Sequence, residues 1–246
     1  MPIIYLSPST QEFNPYVNGE NEEAVMNRIA DDMLPWLEAN GIQAVRNTPE
    51  MTAASSITAS NAGHYDLHLS LHSNAAPEGQ EGTLRGSLVF YYPTSAQGQR
   101  AAQLIAQGLR DIYPLPELVE ALPTTTLGEV VRTRAPAVLI EFAYHDNADD
   151  AAWLVSHEEV IAQNVVRSLT RYFGIPFLSP ASPLPALVDT EGSALNIRRR
   201  PSLSAPVTAR AHDGAYLTVV NRWEGWYLVR YGCLTGYASA DYVTLL

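Results

Sequence analysis

Asp66-Leu67-His68-Leu69-Ser70-Leu71-His72-Ser73-Asn74-Ala75 alternates apolar and polar side chains and then runs into the polar His72-Ser73-Asn74. Alternation with period two marks a β-strand, and the polar finish leaves His72 at its C-terminal end. In open α/β sheets ligands bind at that end, where loops diverge and leave a crevice. A second strand delivers an ionisable group in the same way: Ala137-Val138-Leu139-Ile140 is an unbroken apolar run, and Glu141 follows it. A carboxylate carried into the interior costs several kcal/mol unless it is paired. Glu141 therefore reads, with His72, as part of a catalytic or metal-linked site. His68, four residues before His72, faces the same side of the strand and is expected to pack beside that site.

Outward from these two strands, strands and helices alternate up to about Gly174. Ile3 to Leu6 is a short apolar strand. Glu22 to Asn40 carries Val25, Met26, Ile29, Met33, Trp36 and Leu37 at helical spacing, with Gly41 as its stop and Pro35 as an expected kink. Ile42 to Arg46 and Gly86 to Tyr92 read as strands, 53–62 and 97–112 as helices, and 149–173 as one long helical tract. This order predicts an α/β domain over residues 1–176, with a mostly parallel sheet flanked by helices. Pro180, Pro183 and Pro185 with interspersed serines mark 177–186 as a linker. Beyond it, Ala194 to Arg198, Ala215 to Asn221, Trp226 to Tyr231 and Gly236 to Ala238 alternate with period two between turn residues. That pattern predicts a small β-barrel over 187–246.

Composition narrows the partners. The formal net charge is −11 and all 15 positive side chains are arginine, with the acid excess in the N-terminal part of the chain. Nucleic-acid binding needs clustered basic residues, and Arg198-Arg199-Arg200 is the one short basic run, so nucleic acid is not an expected partner. No window approaches the roughly 18 uninterrupted apolar residues of a membrane span. Met1 to Pro8 reads as a core strand and not as a secretory leader, which leaves secretion, release by lysis and a cytoplasmic origin open. The single cysteine, Cys233, allows no intrachain disulfide and no multi-cysteine metal cage.

Glu23 with Asn27, Ser70-Leu71-His72-Ser73-Asn74-Ala75, Val131-Arg132, Pro136 to Glu141, and Asn147 follow one another in a characteristic order. In that order, most of residues 2–175 resemble the zinc-dependent N-acetylmuramoyl-L-alanine amidases of the amidase-3 family. The resemblance implies a peptidoglycan hydrolase that cleaves the amide between N-acetylmuramic acid and the L-alanine of the stem peptide. It implies Glu23 and His72 as ligands of Zn2+, Glu141 as catalytic base, and Arg132 as the anchor for a stem-peptide carboxylate. Such chemistry is coherent: zinc accepts imidazole nitrogen and carboxylate oxygen, it activates water and polarises a carbonyl, and a nearby glutamate moves the proton.

The family's first histidine ligand falls here on Thr10, and Glu12 and His145 are the candidates to replace it. The alternative is a catalytically silent peptidoglycan-binding protein that has lost one ligand. In the C-terminal part, Leu195-Asn196-Ile197-Arg198, Pro201-Ser202, Gly214, Gly225-Trp226-Tyr227-Leu228-Val229, Gly236-Tyr237-Ala238 and Tyr242-Val243 resemble bacterial SH3-like domains. This implies a cell-wall-binding module, with Trp226 and Tyr237 mainly in its core.

Overall fold

From Leu67 to Ser73 every residue is buried, as befits a strand covered on both faces. That strand lies inside the six-stranded sheet of the computed structural model, which describes residues 1–246. The elements are β1 (Ile3–Pro8), α1 (Glu22–Ala39), β2 (Gln43–Arg46), α2 (Ala53–Ala62), β3 (Leu67–Asn74), β4 (Ser87–Tyr91), α3 (Ala96–Arg110), β5 (Val119–Pro123), α4 (Gly128–Val131), β6 (Ala137–Tyr144), α5 (Ala148–Ser156) and α6 (Glu158–Phe173). There follow β7 (Leu184–Val188), β8 (Ala194–Arg198), β9 (Val207–His212), β10 (Tyr216–Trp223), β11 (Trp226–Tyr231), β12 (Leu234–Ser239) and β13 (Val243–Leu245).

Six strands form one sheet in the order β2-β1-β3-β6-β4-β5. β1 and β3, β3 and β6, and β4 and β5 pair in parallel, whereas β4 and β6 are antiparallel, so the sheet is mixed. Register places His72 of β3 opposite Glu141 of β6, and Ser7 of β1 opposite Ser70 of β3. α1 buries one stripe, Val25, Met26, Ile29, Ala30, Met33 and Leu37, and is continuous through Pro35. The helical tract expected over 149–173 is two helices. Asn147 caps α5 by accepting from the amides of Asp149 and Asp150, and α5 ends at Ser156, with His157 alone between it and α6. β5 and the four-residue α4 have no counterpart in the sequence reading.

The chain divides into two compact units. The α/β unit comprises Ile3–Leu34 and Ala44–Tyr172. The other unit collects Met1–Pro2, Pro35–Gln43 and Phe173–Leu246. Its seven-stranded sheet runs β13-β7-β10-β11-β12-β8-β9 and every described pairing is antiparallel. β9 and β13 are its two edges, so the sheet is open where a closed barrel was expected. Val188, Leu195, Ile197, Leu217, Val219 and Val229 fill its core. Tyr237 is fully buried, but Trp226 is only half-buried. The proline-rich stretch runs directly into β7.

Candidate active site

Five elements of the α/β unit send polar side chains to one face of its sheet. β3 supplies His68, Ser70 and His72, which share a face by alternation. His72 uses both ring nitrogens: Nδ1 lies 2.8 Å from Glu22 Oε1 on the first turn of α1, and Nε2 lies 3.0 Å from Glu129 Oε2 on α4. The second oxygen of Glu129 accepts from the hydroxyl of Ser7, at the end of β1, and lies 3.3 Å from His68 Nε2. Glu22 Oε2 accepts from the Asn14 side-chain amide at 2.7 Å. Gln11, in the loop after β1, brings its amide nitrogen to 3.4 Å from His72 Nδ1. A cleft of about 390 Å³ opens beside His72 and Glu129, walled by Ser9, Thr10, Phe13 and Met51.

Two buried carboxylates in this unit differ in kind. Asp150 accepts from Arg85 Nε, the Tyr113 hydroxyl and the amides of Gly86 and Tyr144. It is an internal anchor, fully satisfied. Glu141 leaves its buried Oε2 with no partner, a costly arrangement that folding alone does not call for. Burial pushes its carboxyl up to about 7, with the charge of His72 opposing the rise and Glu22 and Glu129 adding to it. For His72, burial disfavours the cation, but the hydrogen bonds to Glu129 and Glu22 outweigh it and raise the ring to about 10. Burial acts against Glu129 as well, yet its bonds to His68 and His72 hold it well below the ordinary carboxylate range. Glu22 is lowered too, its pairing with His72 overcoming burial.

The structure therefore sets His72 and Glu141 side by side and adds Glu22, Glu129 and Gln11. The carboxylate that meets His72 is that of Glu22, not Glu23. Glu22 stands three and four residues before Val25 and Met26 and shares their buried stripe, whereas Glu23 is turned toward the helix flank and is half-exposed. Arg132 is exposed and caps α4, its carbonyl accepting from the Asn61 side chain at 2.8 Å. Glu12 is exposed. His145 is buried elsewhere, its Nδ1 3.0 Å from Ser73 Oγ and its ring stacked on Tyr16.

For the zinc that the resemblance implies, the donors do not fit. No group of three or more His, Cys, Asp or Glu that could hold a metal ion exists in the chain. A catalytic zinc takes three protein ligands; here Glu22 and His72 Nδ1 are two, and the other neighbour of that nitrogen is the Gln11 amide nitrogen, which has no lone pair to offer a metal.

The family described as N-acetylmuramoyl-L-alanine amidase matches residues 10–171, and the bacterial SH3 domain matches residues 193–244. No curated protein matches the chain. Among solved structures, the N-acetylmuramoyl-L-alanine amidase AmiC2 of Nostoc punctiforme is similar with a TM-score of 0.61 at 16% identity, covering 70% of this chain and 97% of that one. The N-acetylmuramoyl-L-alanine amidase from Clostridium difficile 630 is similar with a TM-score of 0.62 at 16% identity and the same coverages. The catalytic domain of the CD27L endolysin targeting Clostridia difficile is similar with a TM-score of 0.57 at 21% identity, covering 70% and 98%.

Proposed function

Because the chain belongs to the N-acetylmuramoyl-L-alanine amidase family, we propose that it is a peptidoglycan hydrolase cutting between the lactyl group of N-acetylmuramic acid and L-alanine. The observation that supports the chemistry is Glu141 beside His72, buried, with one oxygen unpaired. A carboxyl pushed up to about 7 is suited both to take a proton and to return it near neutral pH. Glu141 accepts the proton of a water whose oxygen attacks the lactyl carbonyl carbon. As the carbon–nitrogen bond breaks, the same proton passes to the nitrogen of L-alanine, leaving a lactyl carboxylate and a free amine. His72 keeps Glu141 from becoming a permanent acid, since its charge opposes the effect of burial. Gln11 offers a neutral amide donor at the lip of the cleft for the carbonyl oxygen. Arg132, exposed three residues after Glu129, anchors a carboxylate of the stem peptide through its planar fork. The bacterial SH3 domain holds the enzyme to the cell wall.

Digestion of purified sacculi with the full chain tests this reading. Mass spectrometry of the soluble fragments is expected to show stem peptides with a free L-alanine amine and intact glycan termini. Cleavage inside the stem peptide or the glycan sinks it.

A further inference from the structure

Glu129 is the least expected member of the site. It is 5% exposed, lies on a helix of only four residues, and the hydrolytic steps above give it no proton to carry. Yet its carboxylate is aimed at the histidine strand and at β1 beside it: Oε2 to His72 Nε2 at 3.0 Å, Oε1 to His68 Nε2 at 3.3 Å, and Oε1 to the Ser7 hydroxyl. Ser7 is held in turn by Ser56 Oγ at 2.7 Å, and the Glu129 carbonyl accepts from Thr133 Oγ1 at 2.8 Å. The carboxylate is thus fixed by β1 and β3, and its backbone by Thr133.

A carboxylate only accepts, so the Nε2 that faces it carries the hydrogen. The imidazole χ2 torsion is broad and roughly two-fold. A ring turned over would swap nitrogens for carbons and leave Glu129, Glu22 or both without a donor, at a cost of several kcal/mol for a buried charge. We propose that Glu129 is the positioning residue of this site: it grips Nε2–H of His72 and so turns Nδ1–H onto Glu22, which holds the ring in place beside Gln11 and Glu141. Its place is that of the carboxylate that orients an active-site imidazole from behind. The proposal rests on the amidase reading for its effect on turnover, but not for its effect on the ring.

The test compares the wild-type full chain with Glu129→Gln and Glu129→Asp. With ring-15N-histidine labelling, the wild type is expected to show a slowly exchanging Nε2–H signal for His72, assigned by its loss in His72→Gln. In Glu129→Gln that signal broadens or shifts, while kcat falls by more than about tenfold, up to the roughly 10,000-fold seen when the carboxylate behind a catalytic imidazole is neutralised, and KM stays within twofold. Glu129→Asp, which keeps the charge on a shorter stem, recovers part of kcat. A purely structural role predicts a lower Tm with unchanged ring signals and unchanged kcat per folded molecule, and that result overturns the proposal. A wild type that releases no stem peptide overturns the amidase reading instead. In that case the ring signals alone still decide the role of Glu129.

Discussion

At the scale of single residues, Glu141 links activity to stability with opposite signs. Its ionised form is the proton acceptor, so kcat/KM is expected to rise tenfold per pH unit up to an inflection near 7, the value to which burial pushes the carboxyl. Folding responds the other way. The folded carboxyl holds its proton between the ordinary value of 4.5 and about 7, whereas the unfolded chain has released it. Stability is complete below 4.5 and falls by about 1.4 kcal/mol per unit as pH rises through that window. Glu141→Gln should abolish turnover and, at pH 8, unfold at a higher urea concentration than the wild type; at pH 4 the two should nearly coincide. Equal midpoints at pH 8 would show that Glu141 is not strained in the folded protein. Gln11 carries a second residue-scale prediction. Structural zinc sites contribute about 10–16 kcal/mol, and two donors cannot match that, so the wild type should bind zinc no tighter than about 1 μM against a chromophoric chelator. Gln11→His supplies a third donor beside His72 and is expected to tighten binding at least tenfold. Nanomolar zinc affinity in the wild type would refute the two-donor description.

At the scale of elements, helix phase explains what was legible and what was not. β3 and β6 could be read directly, because each is a strand whose apolar run ends on an ionisable group, and their register brings His72 and Glu141 together. The acidic pair at the head of α1 was equally visible, but choosing between Glu22 and Glu23 required the phase of the whole stripe. Val25, Met26, Ile29 and Met33 put Glu22 near its centre. Charge neutralisation should separate the two: Glu22→Gln is expected to lower kcat more than tenfold by unseating His72, while Glu23→Gln stays within about twofold and within ±0.5 kcal/mol in stability. The reverse order would mean that α1 is rotated in the working enzyme. α4 was not legible at all. Four residues carry too little periodicity to announce a helix, and Glu129 looks like one more loop acid until tertiary packing buries it. A carboxylate flanked by Leu127, Val130 and Val131 was the only hint.

At the scale of the whole molecule, units do not follow chain order. Pro35–Gln43 belongs with Phe173–Leu246, so the end of α1 is ordered by residues more than a hundred positions away. Asn40 is fully buried and shows how: its side chain donates to the carbonyls of Trp36 and Leu178 at 2.7 and 2.9 Å and accepts from the Leu178 amide at 2.6 Å. Trp36 stacks on Phe177 with ring centroids 5.4 Å apart, and Asn221 donates to the Ala39 carbonyl at 3.2 Å. Gly41, at φ +67°, then turns the chain out of the helix in a conformation that side chains with a Cβ resist. Asn40→Ala strands the amide and carbonyl of Leu178 in a buried place, and about 2–3 kcal/mol of destabilisation is expected. A protein ending at residue 176 removes the same partners at once. Hydrogen exchange on it should find the amides of 36–43 unprotected, because a helix end without packing frays, while those of β3 and β6 keep their protection. Retained protection over 36–43 would show that the end of α1 is ordered without the C-terminal sheet, and the division of the chain at Pro35 would then have no energetic meaning.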